Sequence, residues 1–116
     1  PAQVRILSGP PRAALVNYCV AVAKVVAKDN VMINNVLPGM HHTASIADRY
    51  NAMAEKNGTS YDEEIQKFVD EWKIPAGIFG DPEYVGDFVA MFCSQQAAFI
   101  AGQSLVIDGG QTNSTF

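Results

Sequence analysis

The residues best suited to chemistry lie together in a short run that reads Pro-Gly-Met-His-His-Thr and ends at Thr43. Histidine is a common general acid or base in proteins, so His41 or His42 could give or take a proton. Thr43 adds a hydroxyl that can donate and accept hydrogen bonds. Pro38 cannot donate to a β-ladder, and Gly39 lets another group approach bare backbone. The run has the composition of a small polar site, although a plain turn with two exposed histidines would read the same way.

The segment before Pro38 is expected to be a strand that carries this run at its end. From Val31 to Leu37 the chain is apolar apart from two asparagines, which is typical of a parallel strand covered on both faces. In an open α/β sheet, ligands bind just beyond the carboxyl ends of the strands. Residues 38–43 occupy that place, so the pattern predicts a binding site there.

A long helix is predicted before the strand, from Arg12 to about Lys28, and two prolines precede it as in many helix starts. Nearly all of its side chains are apolar, so it must be covered on more than one side. One side would pack on the sheet. A helix from another subunit is a natural partner for the other side.

Residues 44–73 predict two helices beyond the candidate site. The first would follow a cap at Ser45, and the second would follow Ser60 and Glu63, which form a capping-box pattern. The apolar residues of the second helix recur at helical spacing: Ile65, Phe68, Val69 and Trp72. The two helices are interpreted either as ordinary surface helices or as a lid over the cleft that begins at Gly39.

A last helix is predicted from Asp81, as a cap, to about Ser94, and a short strand from Ser104 to Ile107. We expect the last helix to bury five apolar side chains: Val85, Phe88, Val89, Phe92 and Cys93. Two parallel strands are too few for an independent sheet. The fold class is therefore predicted to be α/β, with residues 1–116 forming the C-terminal half of one larger, doubly wound domain.

Composition restricts the function classes. The 116 residues are 48% hydrophobic and 17% charged, which indicates a globular domain. A net charge of −4 argues against nucleic acid as a partner, and no apolar run approaches the roughly 20 residues that span a bilayer. Cys19 and Cys93 lie in apolar helical surroundings and are expected to be buried free thiols, which favours a reducing, cytoplasmic compartment. No metal-ligand spacing occurs, and the start, Pro-Ala-Gln, leads us to expect an N-terminus that was cut or processed.

Four blocks of the chain together resemble the C-terminal half of a short-chain dehydrogenase/reductase. They are Arg-Ala-Ala-Leu-Val-Asn-Tyr at 12–18, Val-Met-Ile-Asn-Asn-Val-Leu-Pro-Gly-x-x-x-Thr at 31–43, Gly-Asp-Pro-Glu at 80–83, and Gly-Gln-Ser-Leu-Val-Ile-Asp-Gly-Gly at 102–110. The blocks keep the family's order and spacing. The resemblance implies a Rossmann-type fold, NAD or NADP as cofactor, and a small-molecule carbonyl or alcohol substrate. It also implies a homo-oligomer built through the 12–28 helix and the C-terminal strand.

The resemblance further implies roles for individual residues. Pro38 and Gly39 would lie against the nicotinamide, and Thr43 would hydrogen-bond its carboxamide or the pyrophosphate. Residues 44–73 would form the substrate lid. No Gly-x-Gly-x-x-Gly loop occurs, so the pyrophosphate-binding N-terminal half of the same fold is an expected partner of this chain, and the isolated fragment is not expected to be active.

The family's catalytic Tyr-x-x-x-Lys pair is replaced. Register places Ser8 at the tyrosine position and Arg12 at the lysine position, a combination that resembles a divergent branch of the family. In the family, the tyrosine phenol donates or accepts the proton as hydride moves. It can do so because the lysine brings its pKa of about 10 toward neutral. A serine hydroxyl is too weak an acid for that role, whereas Arg12 keeps a positive charge and could bind ribose hydroxyls.

Three interpretations follow from this replacement. The protein could still transfer hydride, with His41 or His42 supplying the proton. It could instead be a non-catalytic relative that binds nucleotide or serves in oligomer assembly. A halohydrin dehalogenase would also have arginine at position 12, but it needs a tyrosine where Ser8 stands and has a halide pocket in place of the nicotinamide site.

Overall fold

The computed structural model describes residues 6–112, which form an α/β arrangement as predicted. These residues form four α-helices, two short 3-10 turns and two strands. In chain order they are α1 (Gly9–Val26), a 3-10 turn (Ala27–Asp29), β1 (Asn35–Pro38), α2 (Ala44–Asn57), α3 (Tyr61–Glu71), α4 (Pro82–Phe92), a 3-10 turn (Gln95–Ala97) and β2 (Ser104–Ile107).

The described residues fall into two compact units. The first unit comprises the described residues up to Val36 together with Val89–Leu105. The second unit comprises Leu37–Phe88 and the described residues from Val106 onward.

The two strands pair in a two-stranded sheet. The pairing is parallel because the partners rise together along the chain: Asn35 N donates to Gln103 O at 2.8 Å, and Gly39 N donates to Ile107 O at 2.9 Å. The predicted strand start at Val31 is wrong by four residues. The ladder can begin only where β2 offers partners.

Just before β1, the side chain of Asn34 takes up backbone groups that a ladder would otherwise pair. Its Nδ2 donates to Ile100 O at 2.8 Å, and its Oδ1 accepts from Gln103 N at 3.0 Å. The strand prediction treated this asparagine as an interruption in an apolar run. It acts instead as a side-chain link between the approaches to the two strands.

Helix α1 confirms the predicted long helix, and a proline lies in its first turn. Ala23 is its one buried residue, whereas Tyr18 and Val25 are each 66% exposed. The apolar surface that led us to expect an outside partner is thus uncovered by the described chain. Within residues 6–112, no helix combines the length and apolarity needed to cross a bilayer.

The expectation of two buried thiols is wrong. Both cysteines are free, but Cys19 is half-buried and Cys93 is exposed. Apolar neighbours in a helix sequence show only that a surface is apolar. Burial also needs a second element to cover that surface, and the described chain supplies little cover for α1 and α4.

Helices α2 and α3 begin and end at local signals. The predicted cap at Ser45 is wrong, since Thr43 caps α2 by accepting from Ile46 N at 3.4 Å. The predicted capping box of α3 is confirmed: Ser60 Oγ accepts from Glu63 N at 3.2 Å, and Ser60 N donates to the Glu63 carboxylate at 2.8 Å. Such a box satisfies two amide groups that would otherwise lack helical partners.

The core of the second unit lies where α2 and α3 meet the segment that follows them. Its buried members are Tyr50, Ile65, Val69, Ile74 and Phe79. The rings of Tyr50 and Phe79 pack edge to face with centroids 5.8 Å apart, and Phe68 contacts Phe79 in the same way at 5.4 Å. These contacts hold the 74–80 loop on the two helices.

A buried carboxylate accompanies this core. Glu64 accepts hydrogen bonds from Lys67 Nζ at 2.6 Å, Thr59 Oγ1 at 2.7 Å and Asn57 Nδ2 at 3.2 Å. The bond from Lys67, followed by those from Thr59 and Asn57, lowers the pKa of Glu64 to about 2. The carboxylate thereby ties the α2–α3 connection to α3.

Helix α4 starts as predicted, because Asp81 Oδ1 accepts from Glu83 N at 3.0 Å. The expectation that it buries five apolar side chains is wrong, since no residue of the helix is buried. Phe88 and Val89 are exposed, and Val85 is half-buried. Helical spacing identifies the apolar face correctly, but covering that face takes more sheet than two four-residue strands.

Candidate functional site

The candidate site lies in the second unit and begins at Pro38, the last residue of β1. Gly39 follows, and a Cβ atom there would lie 2.6 Å from Asp108 Cβ and 2.7 Å from Asp108 Cα. Real Cβ contacts are not that short, so the close approach requires glycine. The group that approaches the bare backbone is therefore the chain after β2.

Asp108 is fixed at this crossing by its own loop. Its Oδ1 accepts from Gly110 N at 2.9 Å, and its Oδ2 accepts from Thr112 N at 2.8 Å. Burial by itself would raise the pKa of Asp108, but the hydrogen bonds from Thr112, Gly110 and Gln111 outweigh burial and lower it. The carboxylate is thus charged and committed to the turn that passes Gly39.

His41 is buried, with 7% of its surface exposed. Its Nδ1 lies 3.2 Å from Gly39 O, and because a carbonyl oxygen can only accept, Nδ1 carries the hydrogen and donates it. The other edge of the ring faces Gly80, where an added Cβ would lie 2.6 Å from Cδ2 and 2.7 Å from Nε2. The interpretation of two exposed loop histidines is therefore wrong for His41.

The backbone around His41 forms an isolated parallel bridge with Gly80. Gly80 N donates to Met40 O at 2.9 Å, and His42 N donates to Gly80 O at 2.9 Å. This bridge lies beyond the end of β1 and is separate from the pairing of β1 with β2. It brings the 74–80 loop against the candidate site, which the sequence did not predict.

His42 is exposed and points to α3. Its Nδ1 is 2.8 Å from the Tyr61 hydroxyl, and its ring lies 5.5 Å from the Phe79 ring between centroids. His42 does not line the cavity that opens beside the end of β1. The two adjacent histidines therefore have different surroundings.

A cavity of about 390 Å³ opens beside the end of β1. Its lining residues are Pro38, Gly39, Met40, His41, Thr43, Ile46, Pro82 and Val85. The structure thus brings together three residues that the sequence predicts as a cofactor site, namely Pro38, Gly39 and Thr43. Most of the wall is apolar, and Thr43 and His41 supply its polar side chains.

Thr43 has a structural role in addition to its predicted one. Its Oγ1 accepts the cap bond from Ile46 N, which uses one lone pair. A hydroxyl that accepts one hydrogen bond can still donate its own hydrogen. Capping α2 and binding a polar group in the cavity are therefore compatible.

The other predicted site residues, Ser8 and Arg12, lie in the first unit. Ser8 is the half-buried residue before α1, and Arg12 is exposed one turn later. Residues four apart lie on one helix face, so the two side chains share a face at the start of α1. Among the residues that the structure describes, no group of three or more His, Cys, Asp or Glu could hold a metal ion.

Residues 5–112 match the family model described as enoyl-(acyl carrier protein) reductase. The chain belongs to the short-chain dehydrogenase/reductase family. It is 32% identical over 99 residues to the 3-oxoacyl-(acyl-carrier-protein) reductase FabG of Aquifex aeolicus, covering 85% of this chain and 35% of that protein. It is 30% identical over 107 residues to the 7alpha-hydroxysteroid dehydrogenase of Bacteroides fragilis, covering 91% of this chain and 36% of that protein.

A solved structure supports the same family fold. The L-sorbose reductase of Gluconobacter frateurii, solved with NADPH and L-sorbose, matches with a TM-score of 0.80 and 28% identity. The match covers 88% of this chain and 38% of that one, so this short-chain dehydrogenase/reductase chain spans little more than a third of such relatives. The predicted family and the Rossmann-type α/β fold are confirmed.

Proposed function

We propose that the whole protein is an NAD(P)-dependent oxidoreductase that acts on a small-molecule carbonyl or alcohol, and that this chain supplies the C-terminal part of its cofactor domain. The observation that carries the proposal is the cavity shared by Pro38, Gly39 and Thr43 beside the end of β1. Ligands of open α/β sheets bind at that end of the strands. Relatives that reduce carbonyl groups or oxidise alcohols, such as the 7alpha-hydroxysteroid dehydrogenase, support the reaction class.

The cavity fits a nicotinamide, which is a flat ring with one carboxamide. Pro38, Ile46 and Val85 offer apolar surface for the ring, and Gly39 adds backbone without a side chain in the way. The Thr43 hydroxyl can donate to the carboxamide oxygen or to the pyrophosphate. The bound cofactor would supply or accept the hydride, and the L-sorbose reductase solved with NADPH supports a nicotinamide dinucleotide.

Proton transfer is the step in which this chain departs from the family pattern, because the family's tyrosine is replaced. Arg12 would bind ribose hydroxyls, and Ser8 would stand where the family has its phenol. Neither histidine is well placed to replace that phenol: His41 is buried with its ring held between two glycines, and His42 does not line the cavity. Without a replacement for the phenol, the protein could bind the dinucleotide and not turn over. That result would identify it as the non-catalytic, nucleotide-binding relative.

Residues 44–73 are proposed as the substrate lid. Helix α2 is capped by Thr43, directly after the cavity-lining turn, and Ile46 in its first turn lines the cavity. Any tilt of α2 would therefore move part of the cavity wall. Since α2 and α3 share one core, we expect them to move together.

The uncovered apolar surface of α1 supports a homo-oligomer. Leu15, Tyr18 and Val25 are exposed in the described chain, and burying such side chains is favourable. We propose that the 12–28 helix and β2 form the interface. The two free thiols favour a reducing compartment such as the cytoplasm.

Titration of the full-length protein with NAD and NADP, in both redox states, tests the proposal. Two substitutions separate the two roles of Thr43. Thr43→Ser keeps the cap and the donor, whereas Thr43→Asp keeps the cap but lacks the donor and adds negative charge. We expect Thr43→Ser to bind like wild type and Thr43→Asp to bind at least about tenfold more weakly at unchanged melting temperature. Equal binding by Thr43→Asp would contradict the proposed site. The reaction class is tested separately, by assaying turnover of the full-length protein over a panel of carbonyls and alcohols.

A further inference from the structure

The ring of His41 connects the cofactor-facing turn to the 74–80 loop. We infer that His41 is a positioning residue that holds the Gly39 peptide in one orientation, so that Pro38 and Gly39 present a rigid backbone to the nicotinamide. The inference rests on the proposed function, because it assigns a cause for cofactor affinity at that same cavity.

Both backbone polar groups of Gly39 have partners in the structure. Its N–H donates to Ile107 O at 2.9 Å, and its carbonyl accepts from His41 Nδ1 at 3.2 Å. The close approach of Asp108 limits Gly39 further, since even a Cβ would not fit there. A glycine would otherwise be the most mobile residue of the turn. These contacts therefore remove freedom that cofactor binding would have to remove.

The ring itself has little freedom to turn away. Its Cδ2–Nε2 edge packs on Gly80 so closely that any side chain there would displace it. The parallel bridge formed by Met40, His41 and His42 with Gly80 holds the two backbones at that separation. With 7% of its surface exposed, His41 donates its hydrogen bond largely shielded from water.

His41 also forms a wall common to two cavities. One is the cavity of about 390 Å³ that contains Pro38 and Thr43 in its lining. The other, of about 100 Å³, lies on the side of Tyr84 and Asp108. A residue that lines the cofactor cavity and also fixes the adjoining peptide helps to set the shape of that cavity. A binding site that is ordered beforehand binds more tightly because less entropy is lost on binding.

This arrangement predicts that His41 affects cofactor binding and not proton transfer. Nδ1 is occupied by Gly39 O, and Nε2 lies on the edge that faces Gly80. A proton donor would need one nitrogen aimed at the substrate. We therefore expect a changed KM for the dinucleotide with a nearly unchanged kcat.

Two variants of the full-length protein separate the hydrogen bond from packing. His41→Asn places an amide nitrogen near the position of Nδ1, whereas His41→Leu fills much of the space without a donor. We expect His41→Leu to bind the nicotinamide dinucleotide about tenfold more weakly, because the Gly39 peptide would then have to be ordered on binding, and His41→Asn to recover most of that loss. Binding of adenosine 2′,5′-bisphosphate and of ADP-ribose, which lack nicotinamide, should stay unchanged in both variants.

Gly80→Ala supplies an independent route to the same result. Its Cβ would push the imidazole from Gly39 O while His41 remains in the chain. We expect it to weaken dinucleotide binding as His41→Leu does, with KM raised and kcat retained.

Several outcomes would overturn the inference. Wild-type affinity in His41→Leu, an equal loss for the nicotinamide-free ligands, or a fall in kcat at constant KM would each exclude a positioning role. If wild-type protein binds the nicotinamide-free ligands and the dinucleotides with equal affinity, the proposed nicotinamide site fails, and the inference fails with it. Weaker dinucleotide binding in His41→Leu and Gly80→Ala, with recovery in His41→Asn and unchanged binding of the nicotinamide-free ligands, upholds both.

Discussion

The two units of the chain differ in how far they bury their apolar side chains. In the second unit, α2, α3 and the following loop enclose a core of five residues centred on Phe79. Among the described residues of the first unit, the buried hydrophobic ones are Ala23 and Ala97, whereas large side chains such as Tyr18 and Phe99 are exposed. An amphipathic helix such as α3 can find its partner nearby, but a helix that is apolar all round, such as α1, needs more cover than its own unit offers.

The largest expected effect lies in the core of the second unit. Phe79→Ala removes a ring that contacts Tyr50, Phe68 and His42, and we expect it to lower the free energy of unfolding by about 3–5 kcal/mol. Ile78→Ala is the matched control, because the neighbouring side chain is 57% exposed and should change stability by no more than about 0.5 kcal/mol. Chemical denaturation of the full-length protein measures both. Similar losses in the two variants would show that this core does not stabilise the unit.

The corresponding test of the first unit is a charge on α1. Tyr18→Glu would place an unpaired carboxylate in the proposed subunit interface, and we expect it to raise the dissociation constant of the oligomer by about 100-fold or more. Asn51→Glu adds the same charge to an exposed position of α2 and should leave assembly unchanged. Light scattering across a dilution series measures the effect. If Tyr18→Glu assembles like wild type, the apolar surface of α1 has some other use.

A smaller effect is expected from the buried carboxylate of the second unit. The bond from Lys67 holds the pKa of Glu64 at about 2, below the ordinary value of 4.5. The charged form is therefore favoured by folding, so its contribution is complete above pH 4.5 and is lost as pH falls toward 2. We expect Glu64→Gln to flatten the decline of stability in that window, and Lys67→Met to flatten it in part. An unchanged pH profile in Glu64→Gln would show that this network does not contribute to the stability of the α2–α3 pair.

Helix ends were the most predictable features because their signals are local. The capping box at Ser60 and the acidic cap at Asp81 each need residues within one turn, so the sequence identifies them directly. Thr43 and Ser45 are both good caps two residues apart, and only the path of the chain after β1 decides for Thr43. Thr43 is therefore both the cap of α2 and a residue that lines the cavity.

Features that depend on distant partners were less predictable. The start of β1 depends on where β2 offers hydrogen-bonding groups, and the burial of α4 depends on cover that the described residues do not provide. His41 and His42 are identical neighbours, so nothing local indicates which ring turns inward. The deciding partner is Gly80, almost 40 positions away, and a glycine directly before a helix cap gives no sign of that role.

The central claim is that the cavity beside β1 receives the nicotinamide, and methyl NMR of the full-length protein tests it most directly. Methyl groups of Met40, Thr43, Ile46 and Val85 all belong to residues that line the cavity. We expect their resonances to shift with NAD or NADP in either redox state, and those of Met40, Ile46 and Val85 to stay in place with ADP-ribose or adenosine 2′,5′-bisphosphate. The Ile65 methyl groups, in the buried core, serve as the internal control. Dinucleotide binding that leaves the four cavity residues unshifted would contradict the account.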